Sequence, residues 1–147
     1  MGNVAVLCTP DNLVQMTKNF EGFKKKPYKC SAGKLTIGYG RNLTDVGISQ
    51  SEAEMLFNHD MLSAELDAIA WLKKNGINYK DLSQNRFYVV TDMMFNLGWD
   101  RCQGFVKFMS ALKKGLYDDA ANEMIDSKWA TQVGNRAIVL SGMMRNG

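Results

Sequence analysis

Apolar side chains recur at intervals of three and four residues near the start of the chain. Leu13, Met16 and Phe20 follow this spacing, which places them on one face of an α-helix. The pattern therefore predicts a helix over residues 10–22, and Gly22 is a typical residue at which a helix ends.

The next segment changes to a strand-like pattern. In "KLTIGYGRNL" the apolar residues Leu35, Ile37 and Tyr39 alternate with Thr36 and glycines. Because successive side chains of a strand point to opposite faces, Thr36 is predicted to lie on a nearly bare face that a ligand can approach closely. With the turn-like "KKKPYKCSAGK" before it, this alternation predicts a small β lobe over about residues 24–48.

A long helix is predicted after this lobe. Ser49 and Glu52 have the spacing of a capping box, and apolar positions then recur at helical intervals. Asn75 and Gly76 are typical stop signals. The helix is therefore predicted over about residues 50–74, long enough to connect the β lobe with a second lobe.

The remainder, about residues 81–147, is helical in pattern. The apolar segment "NRFYVVTDMMFNLG" predicts a central helix, and "GFVKFMSALKKG", "YDDAANEMIDSKWA" and "NRAIVLSGMMRNG" predict three shorter ones. The expected architecture is α+β, with a small β-sheet lobe and a larger helical lobe joined by the long helix in one domain over residues 1–147. A cleft between the lobes is the expected active site.

Composition narrows the class of protein. The chain has 147 residues, of which 46% are hydrophobic and 22% charged, as expected for a globular protein. Three cysteines and one histidine without ligand spacing argue against a metal site. No apolar stretch approaches the roughly 18 residues of a membrane span, and the apolar run at residues 4–8 is too short for a secretion signal. We expect synthesis in the cytoplasm and no membrane insertion.

Three side chains in one short segment offer chemistry: Glu21, Cys30 and Thr36. Glu21 is predicted at the C-terminal end of a helix, where the helix dipole disfavours a carboxylate. If this helix end faces Thr36, all three side chains line one cleft, with Glu21 as a general acid and Thr36 holding a water. Cys30 would assist that water as a thiolate or stabilise positive charge. A solvated glutamate and an inert cysteine are the alternative interpretation.

The spacing of these residues resembles the active-site segment of the phage-type lysozymes, the glycoside hydrolase family of the T-even phage enzyme. That family has Glu-Gly, eight residues between the Glu and an Asp, five more to a Thr, and then Ile-Gly-x-Gly. "EGFKKKPYKCSAGKLTIGYG" keeps this spacing without a gap. "ISQSEAEMLFNHD", "MMFNLG" and "SKWATQVGNRA" extend the likeness over roughly residues 12–143.

The resemblance implies hydrolysis of the β-1,4 bond between N-acetylmuramic acid and N-acetylglucosamine in peptidoglycan. Glu21 would protonate the glycosidic oxygen, while Cys30 and Thr36 assist a water that attacks with inversion. Phe95 would lie in the saccharide cleft, and Arg136 would orient Glu21. No cofactor or metal is implied. The resemblance also implies a monomeric endolysin that lyses the host cell and needs a holin to pass from the host cytoplasm to the periplasm.

Two positions depart from the family pattern. Cys30 stands where the family has an Asp, and Arg41 stands where the T-even enzyme has a His. Because an inverting glycosidase uses an acid and a base, the first change affects mechanism. Our hypothesis is that Glu21 supplies most of the rate and Cys30 partly replaces the Asp.

Two other functions remain open at this point. The chain could be a peptidoglycan-binding domain that has lost activity, or a lytic transglycosylase that uses one Glu and forms an anhydro-sugar. Nucleic-acid binding rests only on a net charge of +3 and a "KKK" run, and we do not expect it.

Overall fold

A computed structural model describes residues 10–147, so Cys8 lies outside the described part of the chain. The described residues form eight α-helices and one small sheet, and the predicted α+β class is confirmed. The elements, in chain order, are α1 (Asp11–Glu21), β1 (Lys24–Lys29), β2 (Leu35–Gly38), β3 (Arg41–Asn42), α2 (Gln50–Lys74), a 3-10 turn (Tyr79–Asp81), α3 (Gln84–Leu97), α4 (Trp99–Cys102), α5 (Val106–Lys113), α6 (Tyr117–Ile125), α7 (Lys128–Val133) and α8 (Asn135–Asn146).

The chain divides into two compact units between Leu56 and Phe57. Unit 1 contains α1, the sheet and the first residues of α2. Unit 2 contains the rest of α2 and all later helices.

The end of α1 determines where Glu21 lies. Gly22 follows the helix with φ +68°, and its N–H donates to the carbonyl of Lys18 at 2.8 Å. A positive φ is easily adopted only by glycine, so the helix ends here as the sequence predicts. Glu21 is therefore the last residue of α1.

The sheet of unit 1 is antiparallel, with β2 between β1 and β3. Thr36 of β2 lies opposite Tyr28 of β1 and Asn42 of β3. Directly opposite residues of an antiparallel pair project from the same face, so these two side chains flank Thr36.

Both ends of α2 follow their sequence signals. Ser49 N–H donates to Glu52 Oε1 at 2.9 Å, and Glu52 N–H donates to Ser49 Oγ at 3.2 Å, which completes the predicted capping box. At the other end, Gly76 N–H donates to Lys73 O, and Ile77 N–H donates to Leu72 O. This is the Schellman arrangement, in which a glycine with positive φ follows the helix.

One continuous buried cluster lies in unit 2, between Ala64 and Met144. α3 contributes five buried apolar residues to it, as its apolar pattern predicts. The largest fully buried side chains are Trp71, Phe108, Leu72, Met93, Met124, Met144, Val89, Val90 and Cys102. Five methionines of residues 10–147 are buried, which agrees with a packing role for this residue type.

The segment "YDDAANEMIDSKWA" differs from the predicted single helix. It forms α6 and α7, separated at Ser127. The Ser127 hydroxyl accepts from Ala130 N–H at 3.2 Å and lies 2.6 Å from the carbonyl of Met124, to which it donates. One side chain thus ends α6 and caps α7, because serine competes with backbone hydrogen bonds.

Candidate active site

Glu21 projects from the end of α1 onto the backbone of Gly40. A Cβ atom at Gly40 would lie 2.7 Å from Glu21 Oε2, closer than any side chain tolerates. Gly40 also has φ +85°, a conformation that favours glycine. The glycine after the β2 strand therefore makes room for this carboxylate.

Cys30 is the first residue of the turn that joins β1 to β2. Its N–H donates to Lys34 O at 2.9 Å, and its C=O accepts from Gly33 N–H at 2.8 Å. Gly33 has φ +76°. These features describe a type I turn followed by a residue in the left-handed region. The side chain of the first turn residue then lies near the N–H groups that follow it.

This backbone environment lowers the pKa of the Cys30 thiol. The backbone of Lys34 has the largest effect and that of Ala32 the next, while partial burial opposes them. Hydrogen-bond donors near a thiol stabilise the negatively charged form. The Thr36 hydroxyl is also near the sulfur, but its one proton goes to the carbonyl of Lys34 at 3.0 Å. The backbone amides are therefore the main cause of the lowered pKa.

Thr36 is buried, with 4% of its surface exposed, which corrects the prediction of a nearly bare face at this residue. The reason is that β2 is the central strand, so that Tyr28 and Asn42 flank Thr36 on both sides. Since Thr36 Oγ1 donates to Lys34, its lone pairs are left to accept hydrogen bonds. The structure thus brings Cys30, in the turn between β1 and β2, close to Thr36 on β2.

Phe95 lies on α3 in unit 2 and is partly exposed. Its ring meets that of Phe57 edge to face, with 5.5 Å between the ring centroids. Edge-to-face packing fixes the orientation of both rings. Phe95 is therefore a positioned aromatic side chain with a solvent-facing edge.

Arg136 lies near the start of α8 and pairs with Asp92 of α3. Its Nε donates to Asp92 Oδ1 at 2.8 Å, and both side chains are 38% exposed. One turn further along α3, Asn96 Oδ1 accepts from Trp129 Nε1 at 2.7 Å. Two polar positions of α3 thus hold the segment that contains α7 and the start of α8.

The residue after the Gly-x-Gly motif, Arg41, also forms an ion pair. Arg41 Nη2 lies 2.7 Å from Glu52 Oε2, and Arg41 Nη1 donates to Glu52 Oε1 at 2.8 Å. This two-point contact, together with hydrogen bonds from Ser49, lowers the pKa of Glu52 to about 2. The pair joins the sheet to the first turn of α2 within unit 1.

A cavity of about 350 Å³ in unit 1 lies beside Glu21. Its lining residues are Leu13, Val14, Thr17, Lys18, Glu21 and Tyr39. Lys18 Nζ lies 5.5 Å from the centroid of the Tyr39 ring, and this ring also contacts Phe23. Glu21 therefore borders an open, mostly apolar space on the α1 side.

Residues 10–147 contain no group of three or more His, Cys, Asp or Glu side chains placed to hold a metal ion. Over the same range, no helix combines the length and apolar character needed to cross a membrane.

Sequence reasoning missed Asp92, which pairs with Arg136, and Asn96, which accepts from Trp129. A signal was present, because they are polar positions four residues apart in a very apolar helix and therefore share one face. For Gly40 the sequence predicted a bare position open to close approach, but it did not indicate that Glu21 is the residue that approaches it.

Comparisons with known proteins agree with the resemblance seen in the sequence. The family described as Phage lysozyme matches residues 18–146. A probable T4-type lysozyme 2 of Dictyostelium discoideum is 28% identical over 152 residues, covering 86% of this chain and 89% of the relative. An endolysin of Acyrthosiphon pisum secondary endosymbiont phage 1 is 29% identical over 135 residues, covering 88% of this chain and 86% of the relative.

Proposed function

The chain belongs to the phage lysozyme family, and from this membership we propose that Glu21, Cys30 and Thr36 carry its catalysis. At the level of the family, the protein is a glycoside hydrolase, a lysozyme-type peptidoglycan hydrolase. The proposed reaction is hydrolysis of the β-1,4 bond between N-acetylmuramic acid and N-acetylglucosamine.

In the proposed mechanism, Glu21 gives its proton to the glycosidic oxygen as the bond to the anomeric carbon breaks. A water attacks that carbon from the opposite face and loses a proton to the Cys30 thiolate, which inverts the configuration. Thr36 accepts a hydrogen bond from the same water and so orients its lone pair. Proton exchange with solvent then restores Glu21 and Cys30.

The observation that carries this proposal is the environment of Cys30. The turn surrounds the sulfur with backbone N–H groups that lower the thiol pKa, and Thr36 lies beside it. A thiol in ordinary surroundings has a pKa of about 8.5 and is mostly protonated at neutral pH. The lowered pKa increases the fraction of thiolate, which is the form that a general base requires.

Arg136 and Phe95 are proposed as supporting residues. Arg136 uses Nε for Asp92, and within residues 10–147 its Nη groups make no hydrogen bond. The family resemblance, and not a contact in the structure, is the basis for proposing that Arg136 orients Glu21. Phe95 is proposed to contact the saccharide through its exposed edge.

The biological role that we propose is that of a monomeric endolysin that degrades the host cell wall. One of the relatives is a phage endolysin, which supports this setting. Release from the host cytoplasm to the periplasm through a holin is part of the proposal.

The products of digestion test the proposal against its two rivals. Purified peptidoglycan is digested in ¹⁸O-labelled water, and the released muropeptides are examined by mass spectrometry. We expect a reducing N-acetylmuramic acid that carries one ¹⁸O atom, because water is the nucleophile. An unlabelled anhydro-sugar would instead identify a transglycosylase. Binding without any released product would identify a non-catalytic wall-binding domain.

A further inference from the structure

The peptide group between Lys34 and Leu35 is hydrogen-bonded at both of its ends. Its carbonyl oxygen, that of Lys34, accepts from Cys30 N–H at 2.9 Å and from the Thr36 hydroxyl at 3.0 Å. Its N–H, that of Leu35, donates to Thr44 Oγ1 at 2.8 Å. Since the C=O and N–H of a trans peptide lie in one plane and point in opposite directions, these contacts act on a single rigid group.

This one peptide group contacts both residues to which we assign the attacking water. Its carbonyl oxygen holds the backbone of Cys30 and the side chain of Thr36 at the same point. The backbone of Lys34 also has the largest effect in lowering the pKa of the Cys30 thiol. A tilt of the peptide plane would therefore displace the proposed base relative to the hydroxyl that orients the water.

Thr44, which holds the other end of the peptide group, lies in a loop with its own hydrogen bonds. On one side of it, Leu43 N–H donates to Leu35 O at 2.7 Å. On the other side, Asp45 N–H donates to Asn42 Oδ1 at 3.0 Å, and Asn42 Nδ2 donates to Asp45 Oδ2 at 2.9 Å. The loop backbone is thus fixed on both sides of the hydroxyl that meets Leu35.

The same loop makes a second contact with this region, through a side chain. Lys34 Nζ donates to Asp45 Oδ1 at 3.1 Å, and both side chains are about half exposed. Exposed ion pairs of this kind contribute little, whereas the Thr44 hydroxyl acts directly on the peptide group. Thr44 is therefore the residue through which the loop has its strongest effect on the site.

We propose that Thr44 is a positioning residue for peptidoglycan hydrolysis. Its hydroxyl fixes the Lys34–Leu35 peptide group, and this group fixes the placement of Cys30 relative to Thr36. The inference rests on the proposed function, which gives Cys30 and Thr36 their roles. Every contact that it uses lies within unit 1.

A simpler role for this hydrogen bond is to hold the loop in place. Threonine side chains commonly accept backbone N–H groups near turns, and such bonds stabilise the fold without any part in chemistry. A purely structural bond would affect the melting temperature but not the reactivity of Cys30. The two roles therefore predict different results for a variant that stays folded.

Kinetics of Thr44 variants on purified peptidoglycan provide the first measurement. We expect Thr44→Val to lower kcat on the order of 10-fold, less than the effect of about 10²-fold for a displacement of about 1 Å, with KM within about twofold of the parent. Thr44→Ser keeps the hydroxyl and should keep the parent kcat. Thr44→Ala removes the hydroxyl without adding a methyl group at this exposed position, and it should behave like Thr44→Val.

Thr91→Val is the matched control for these variants. The Thr91 hydroxyl is buried in unit 2 and has no hydrogen-bond partner within residues 10–147. The same chemical change therefore removes no hydrogen bond of the described structure, and kcat should equal that of the parent. Thermal unfolding shows whether each variant is folded.

The reactivity of Cys30 provides a second measurement that involves no catalysis. The rate at which iodoacetamide alkylates this residue follows the fraction of thiolate, and peptide mass spectrometry assigns the modified cysteine. The pH midpoint of the rate should be higher in Thr44→Val than in the parent, because the displaced Lys34 backbone stabilises the thiolate less. Thr44→Ser and Thr91→Val should keep the parent midpoint.

Failure of this inference is distinguishable from failure of the proposed function. A folded Thr44→Val variant with either the parent kcat or the parent alkylation midpoint would overturn the inference, because the hydroxyl would not act on the rate through the Cys30 turn. Equal losses in Thr44→Ser and Thr44→Val would also overturn it. A parent rate in Cys30→Ala would overturn the catalytic role of the thiol, while the alkylation midpoint would still decide whether Thr44 holds the turn.

Discussion

The side chain of Cys30 owes its chemistry to the backbone of its turn. The amides of Lys34 and Ala32 favour the thiolate, whereas burial raises the pKa of Cys102 in unit 2 to about 12. The same functional group is thus placed in two opposite environments. A free thiol can serve as a base in the first and is chemically silent in the second.

Substitution of Cys30 should change both the rate and its pH dependence. The ratio of kcat/KM of the parent to that of Cys30→Asp should rise with pH through a range below about 8.5, because the parent's base is a thiolate with a lowered pKa. The base of Cys30→Asp is already ionised at neutral pH, since a carboxylate ionises near 3.9, and the contribution of Glu21 is common to both and cancels in the ratio. The kcat/KM of Cys30→Ala should be about 10²-fold lower than that of the parent. Initial rates on purified peptidoglycan across pH measure all three.

The neighbouring substitution Ser31→Ala is the control for this series. It changes an exposed residue of the same turn and should leave the pH profile unaltered. A parent-like rate and profile in Cys30→Ala would exclude the thiol from catalysis.

At the scale of the elements, the glycine-containing backbone at the end of β2 leaves space for the Glu21 carboxylate. Gly38 and Gly40 both have positive φ, so an alanine strains the backbone at either position by about 1–2 kcal/mol. Only a Cβ at Gly40 meets Glu21, while a Cβ at Gly38 has nothing within 4 Å. The two glycines therefore separate backbone strain from displacement of the carboxylate.

Gly40→Ala should lower kcat about 10²-fold, because misplacement of a catalytic group by about 1 Å has an effect of this size. Gly38→Ala should lower the melting temperature about as much as Gly40→Ala does, but it should keep most of the activity. Thermal unfolding and peptidoglycan digestion of both variants provide the comparison. Equal activities at equal stabilities would mean that the contact with Glu21 is not catalytically important.

The ion pair at the start of α2 should make stability depend on pH. The pKa of Glu52 is lowered from an ordinary value of 4.5 to about 2 in the folded protein. The ionised Glu52 therefore stabilises the fold at pH values above its unfolded-state pKa. This contribution is lost as the pH falls from 4.5 to about 2. The melting temperature of Glu52→Gln should therefore lie below that of the parent at neutral pH and converge with it in acid. A gap that stays constant in acid would contradict this.

Most element boundaries followed from local chemistry. Gly22, the Ser49–Glu52 box and Gly76 each act within one helical turn, so the sequence alone indicates them. The burial of Thr36 did not follow, because it depends on which strands pair with β2. The break between α6 and α7 at Ser127 was missed for a local reason. The hydrogen bonds of one serine hydroxyl outweighed an otherwise helical pattern.

At the scale of the whole molecule, burial is unevenly distributed. The buried cluster lies between Ala64 and Met144, whereas Thr36 is the one buried residue among the described residues of unit 1. The candidate acid and base thus lie in the unit with the smaller buried core. The pairs Asp92–Arg136 and Asn96–Trp129, which are 44 and 33 residues apart, could not be read from the sequence because only the fold brings them together.

Hydrogen exchange should reveal this difference. Amides of β2 should exchange through local opening at a lower free energy than those of α3, because fewer apolar contacts oppose their opening. Met93→Ala should destabilise unit 2 by about 2–5 kcal/mol and lower the protection of α3. The protection of β2 should change little. Equal protection of β2 and α3, with equal loss in the variant, would instead indicate a single cooperative unit.

The central claim is that the carboxylate of Glu21 performs the acid step of peptidoglycan hydrolysis. The most direct test compares Glu21→Gln with Glu54→Gln, an exposed glutamate of the same unit, in the rate of release of reducing sugar from purified peptidoglycan. The proposed mechanism predicts a loss of about 10²–10⁴-fold or more for Glu21→Gln and a parent rate for Glu54→Gln. A parent rate for a folded Glu21→Gln variant would contradict it.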